Sequence, residues 1–198
     1  MIESPTSTFT LLEQARSGDR QALSRAFEKH QRRLAVLIYY KLPGGARRFD
    51  EVEDLVQETF LRACRDLERF TWQSPDSFFR WLAQIAGHVV IDRARYHARE
   101  CRGGEEVRFR SESNPAGAEP ADTVTPSRLL ARKEAVERLL ARLDALPEDY
   151  REALVLAKVE GCGTAEIAER MGRTREAVAL LVYRALKRLR ALSAGSGV

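Results

Sequence analysis

The chain of 198 residues carries a net charge of +4, with 44% hydrophobic and 31% charged residues, a balance that suits one large helical domain or two small ones with well-solvated outer faces. Its longest apolar run, Leu34 to Tyr40, is far short of the ~20 residues needed to cross a bilayer, and the N-terminal MIESPTSTFT has no basic stretch followed by an apolar core, so a cytoplasmic protein without membrane insertion is expected. Cys64, Cys101 and Cys162 are odd in number and widely spaced, which argues against a disulfide framework; His97 with Cys101 is too little for a metal site, and no cofactor is expected.

In chain order, Leu23, Phe27, Leu34, Leu37 and Ile38 follow the three-to-four-residue rhythm of a packed helix that Pro43-Gly44-Gly45 should end. Asp50, with Glu53 three residues on, reads as a capping box; Leu55, Phe60, Leu61 and Leu67 carry that helix to about Phe70. Ser74-Pro75 predicts the start of another helix, with Phe78, Trp81, Leu82, Ile85 and Val89 inward. From Cys101 to Ser127 the periodicity stops. Three prolines, three glycines and many polar residues there predict a flexible linker. Thr125-Pro126 then opens a helix carrying Leu129, Val136, Leu139, Leu140 and Leu143 on one side, and Pro147 separates it from a helix over Glu148 to Glu160. No segment alternates as a strand does. The expected fold is all-α, two small helical domains over residues 8–102 and 127–193 joined by a linker at 103–126.

The C-terminal segment carries the firmest motif. Thr164 is placed to cap a short helix, AEIAERM, that stops at Gly172; Thr174 is placed to cap a second, REAVALLVYRALKRLRAL. Two helices crossing at close range need a small side chain, supplied by Ala168, and the tight turn needs a residue tolerant of positive φ, supplied by Gly172. Ile167, Met171, Val178, Leu181, Val182, Ala185 and Leu189 close a core. The outer face then shows Glu176, Leu180, Tyr183, Arg184 and Lys187, with Arg173 and Arg175 near the helix start. Six basic residues against one acid lie between Arg173 and Arg190, five against two between Arg80 and Arg102, while Arg47 to Glu68 holds seven acids against four arginines. On charge alone this is either two nucleic-acid contacts and one protein contact or three ordinary solvated faces. Caps, spacing and charge together favour a DNA-binding helix-turn-helix over a plain helical hairpin.

Two longer stretches resemble a known family. LPEDYREALVLAKVEGCGTAEIAERMGRTREAVALLVYRALKRLR is similar to region 4 of sigma-70-type RNA polymerase sigma factors. DEVEDLVQETFLRACRDLERFTWQSPDSFFRWLAQIAGHVVIDRAR is similar to their region 2. Possessing only these two regions, in this order, resembles the extracytoplasmic-function (ECF) group, and the likeness covers about Thr10 to Arg102 and Ser127 to Leu192.

The resemblance implies a factor that is not an enzyme. It would bind core RNA polymerase at the clamp helices of the largest subunit and at the flap, direct it to promoters, and help melt the −10 element. Asp54, Gln57, Glu58 and Leu61 stand at the family's core-binding positions; they share one helix edge, where Asp54 and Glu58 could instead simply solvate the helix and pair with Arg62. For the −10 element the resemblance implies Phe70, as the base-facing ring, with Trp72, His88, Arg93 and Arg95. For the −35 element it implies Arg173, Thr174, Arg175, Ala179, Leu180, Tyr183, Arg184 and Lys187. An anti-sigma factor masking both domains is a further partner of such proteins. Two departures stand out: His88 lies in a stretch where the family usually has Asn, leaving a base-contacting or a buried structural imidazole open, and Ala179-Leu180-Leu181 replaces a run of polar donors. The competing reading is a helix-turn-helix regulator that acts without core polymerase.

Overall fold

The computed structural model describes residues 7–42, 49–100 and 126–194, without the side chains at 49–50, 99–100, 126–132 and 194. Among the described residues every regular element is helical: α1 (Thr8–Arg16), α2 (Arg20–Lys41), α3 (Phe49–Asp66), a 3₁₀ turn (Leu67–Arg69), α4 (Ser77–Glu100), α5 (Pro126–Asp144), α6 (Glu148–Leu154), a π-helical turn (Val155–Glu160), α7 (Thr164–Met171) and α8 (Arg175–Ala194). The all-α expectation holds, and none of these helices is long and apolar enough to cross a membrane. Pro43-Gly44-Gly45, the Asp50 side chain, Cys101 and residues 103–125 of the expected linker lie outside the described residues.

Local chemistry explains the boundaries. The Ser7 hydroxyl accepts from the Thr10 amide at 3.1 Å and starts α1. Asp19 starts α2, its carboxylate accepting from the Gln21 and Ala22 amides at 2.9 and 3.1 Å. Helix α3 begins at Phe49, one residue before the expected cap, so Asp50 falls inside its first turn. Helix α4 begins at Ser77, three residues after the expected Ser74-Pro75 start. That start is a separate turn, in which the Ser77 amide donates to the Ser74 carbonyl at 3.0 Å.

In the N-terminal half, α1, α3 and α4 pack around α2. Phe27 stacks on Phe60 (ring centroids 4.4 Å apart) and lies near-parallel to Phe78 (6.2 Å), with Leu34, Ile38, Leu55, Phe79 and Leu82 filling the layer. His30 sits against this layer, edge-on to Phe78 and within 3.2 Å of the Thr8 hydroxyl. Burial, then the positive charges of Arg33 and Lys29, pull its pKa down to about 4, with Asp76 opposing them. A histidine that resists protonation only when folded contributes stability that is complete above about pH 6.5 and lost as pH falls towards 4. Allowing for partial solvent access, acidification over that window should cost on the order of 1–2 kcal/mol. Thermal unfolding followed from pH 7 to 4.5 should therefore be steeper for the parent than for His30→Gln; parallel curves would contradict this assignment.

The C-terminal half folds onto the other end of α2, and the buried core runs on into Val136, Leu140, Leu143, Leu154 and Ala185. Polar ties reinforce it. Arg33 lies over the Phe79 ring (3.7 Å), donates from Nε to the Val159 carbonyl (2.8 Å) and pairs with Asp76 (3.1 Å). The Tyr39 and Tyr40 hydroxyls both donate to Asp144, that of Tyr40 at 2.9 Å. Burial first, and then this bond, hold the Tyr40 hydroxyl above the ordinary phenol range. Asp144→Ala should destabilise the chain by about 1–2 kcal/mol, read by urea unfolding, because two half-buried hydroxyls lose their shared acceptor.

The sequence pattern gave no sign of the π turn. It ends at Gly161, whose φ of +78° is left-handed, and a Cβ there would lie 3.1 Å from Arg33 Nη2. Glycine satisfies both the backbone and the arginine's approach.

Candidate nucleic-acid interface

Three surfaces carry the residues singled out from the sequence. The first is the outer edge of α3. Val52, Leu55, Val56 and Thr59 turn inward, the Thr59 hydroxyl donating to the Leu55 carbonyl at 2.6 Å. The helical period then leaves Asp54, Gln57 and Leu61 outside, all exposed, Leu61 at 48%. Glu58 is half-buried and accepts from Arg62 Nε at 2.8 Å, and Arg62 also reaches Asp92 of α4 at 2.9 Å. Pairing with Arg62 thus holds for Glu58, while Asp54 has no ion pair among the described residues.

The second surface lies where the loop after the 3₁₀ turn meets α4. Ser77 fastens the loop, its hydroxyl accepting from the Gln73 and Ser74 amides (3.2 and 3.3 Å) and donating to the Ser74 carbonyl (2.7 Å). Loop and helix enclose an open cleft of about 480 Å³ lined by Arg69, Phe70, Gln73, Arg80, Trp81 and Gln84, among others.

Phe70 is 6% exposed. Its ring packs on Trp81 (5.0 Å) and Phe78 (5.4 Å), and its carbonyl accepts from Arg16. It therefore forms the floor of the cleft and does not stand out from the loop as the resemblance implied. Trp72 is half-buried. His88 is exposed, which removes the reading of a buried structural histidine; Arg93 is half-buried and Arg95 exposed, farther along α4. Arg69 and Arg80, at the cleft, were missed by the sequence reading. The available signal was two arginines flanking an aromatic-rich loop, hidden because only folding brings residues 69 and 80 to one opening.

The third surface is the α7–α8 pair. Gly172 adopts the left-handed φ of +62°, with the Arg173 amide donating to the Ala168 carbonyl at 2.9 Å and the Gly172 amide to Glu169 at 3.3 Å, a Schellman close. Thr174 caps α8, its hydroxyl accepting from the Ala177 amide at 3.2 Å. Thr164 does not cap α7: it is the first helical residue, after Gly163, and no side chain caps that end. Ile167, Ala168 and Val178 join Leu156 in a small core. That burial turns Arg175, Ala179, Leu180, Tyr183, Arg184 and Lys187 outward, with Tyr183 65% exposed. Arg173 pairs with Asp149 of α6, which aims its guanidinium from the protein side.

The chain matches the ECF sigma factor family over residues 5–193. It belongs to that family. It is 33% identical over 181 residues to the ECF RNA polymerase sigma factor BldN of Streptomyces coelicolor, covering 90% of this chain but only 63% of that one. It is 27% identical over 175 residues to the ECF RNA polymerase sigma-E factor of Salmonella typhimurium, covering 88% of each. Among solved structures it is similar to the RsbN–BldN complex, at 27% identity, 91% and 98% coverage of the two chains and a TM-score of 0.35.

In this ECF sigma factor the departures noted in the sequence sit at the surface. His88 presents an imidazole to solvent, and Ala179 and Leu180 present methyl groups.

Proposed function

We propose that this chain binds core RNA polymerase, directs it to particular promoters and helps open the −10 element, using two functional units at residues 8–102 and 127–193. The Asp54, Gln57 and Leu61 edge of α3, with Glu58 beside it, seats on the clamp helices, its carboxylates complementing a basic surface around an apolar contact at Leu61. Opening a duplex costs stacking and pairing energy. That energy is recovered when an extruded base lies against aromatic rings and cations hold its phosphates. Phe70 and Trp81 supply the rings of the cleft, and Arg69 and Arg80 the cations. Gln84, His88 and Arg95 continue along the same side of α4 towards the adjoining strand, with Arg93 nearby.

Helix α8 enters the major groove at the −35 element. Arg175, Tyr183, Arg184 and Lys187 supply phosphate and base-edge contacts, with Arg173 and Thr174 at the helix start. Ala179 and Leu180 meet thymine methyl groups, so the preferred element is read partly by apolar contact. The C-terminal unit also meets the polymerase flap, and an anti-sigma factor covering both units would hold the free protein silent.

The observation that carries this reading is the pairing, on one ECF sigma chain, of an open cleft that holds Trp81 and two arginines with a separate helix-turn-helix. Runoff transcription with purified core polymerase on genomic fragments tests it. Discrete transcripts that depend on the protein are expected. No transcript, together with no co-purification with core enzyme, would instead indicate a regulator that acts on duplex DNA alone.

A further inference from the structure

Helix α1 has no place in the reading so far, yet it carries an exposed aromatic, Phe9. Leu11 and Leu12 are buried at 2% each, which anchors the helix. Phe9, one turn before Leu12, is 45% exposed and meets Trp72 edge-to-face at 5.3 Å. Trp72 in turn meets Phe70 at 6.5 Å, and Phe70 meets Trp81 at 5.0 Å. Four rings from α1, the loop and α4 thus form an unbroken series leading from the cleft to open solvent. The helix is held in register with the loop by a second contact, from Arg16 to the Phe70 carbonyl.

Leaving a phenyl ring half in water forgoes burial energy that a polar residue would not have to forgo. At the cleft, Arg69 has 87% of its side chain exposed and lies 3.6 Å from Asp66, and Arg80 is exposed. Exposed and half-buried rings near solvent-facing arginines match a single nucleic-acid strand, whose bases offer flat apolar faces and whose phosphates need neutralising.

We infer that Phe9 and Trp72 form a stacking platform for a second unpaired DNA base, next to the one held in the cleft, so that α1 helps to hold the opened strand. The inference rests on the cleft reading above. It accounts for the exposure of Phe9, which packing alone does not require. Any sequence preference from this platform is weak, because every base has a π face; its contribution is to the lifetime of the opened strand.

The test uses the full chain and a fluorescently labelled single-stranded oligonucleotide of mixed sequence, on the order of a dozen nucleotides long. Binding is read by anisotropy and by quenching of Trp72 and Trp81, the chain's two tryptophans. Phe9→Leu, which keeps apolar contact with Trp72 but removes the π face, should weaken binding about tenfold, the scale of one lost stacking contact. Phe9→Tyr should restore it, and the unfolding temperature of both variants should stay near that of the parent. Parent-like binding by Phe9→Leu overturns the platform. Arg80→Ala separates the two ideas: loss in Arg80→Ala alone keeps the cleft and removes the platform, whereas parent-like binding by Arg80→Ala removes the cleft and with it the platform beside it. An oligonucleotide that neither binds nor quenches the parent overturns both.

Discussion

Reversing Asp54 and Glu58 together to lysine is expected to weaken binding to core RNA polymerase by at least about tenfold, with almost no change in fold. The two positions differ in a way that makes the experiment informative. Asp54 is exposed and has no ion pair among the described residues, so Asp54→Lys removes nothing that holds α3 in place. Glu58 is tied to Arg62, which also holds Asp92, so its reversal sets two cations against each other within α3 while the Arg62–Asp92 link to α4 keeps both partners. Partly exposed pairs of this kind contribute roughly 0–1 kcal/mol. The double variant should therefore unfold within a few degrees of the parent, while a charge-complementary interface loses attraction and gains repulsion at two points. Equilibrium binding to fluorescently labelled core enzyme at two salt concentrations measures the effect. Affinity that is unchanged in Asp54→Lys and in the double variant would place the polymerase contact elsewhere.

The second large effect belongs to Phe78. It is fully buried and touches aromatic groups on every side: Phe27, His30 and, at 5.4 and 5.7 Å, Phe70 and Trp81. Phe78→Ala removes a ring that rigid neighbours cannot replace, and a loss of about 3–5 kcal/mol follows from the burial and the cavity left behind. For a chain of this size the unfolding temperature should fall on the order of 10 °C, measured by calorimetry or circular dichroism. Because Phe70 and Trp81 lean on Phe78, the cleft should loosen as well. Transcription from a pre-opened template should therefore recover more fully than transcription from a duplex, since melting is the step that needs the rings held still. A fall of less than about 2 °C would mean that the cluster closes over the gap.

Much of this was legible in the sequence because it depends on local rules. Helical periodicity located α2, α3, α4 and α8 from Phe27, Leu55, Leu82 and Val178, all of them buried. Gly172 was legible as the turn glycine and Thr174 as the cap of α8, since cap chemistry involves only a few neighbouring residues. Thr164 was not: it sits one position inside α7, because Gly163 already leaves the chain extended before the helix. The start of α4 was misplaced by three residues for a related reason, a serine turn closed by Ser77 ahead of the helix proper. Helix α1 was not read from the sequence, although Ser7 carries the signal of its start and Asp19 that of α2.

What depends on distant residues could not be read in advance. Phe70 looked like a base-facing ring because it opens an aromatic loop, yet Trp81 and Phe78, eight or more residues later, cover it and make it a floor. Arg69 and Arg80 share one opening only because the loop folds back on α4. The sequence by itself determined the helical class, the helix-turn-helix and the family, since spacing, caps and motif order are properties of neighbouring residues. Only the tertiary structure decided which rings are exposed, that Phe9 lies beside Trp72, and that Arg33 reaches Val159, because each is a choice between partners far apart in the chain, settled by how the helices pack.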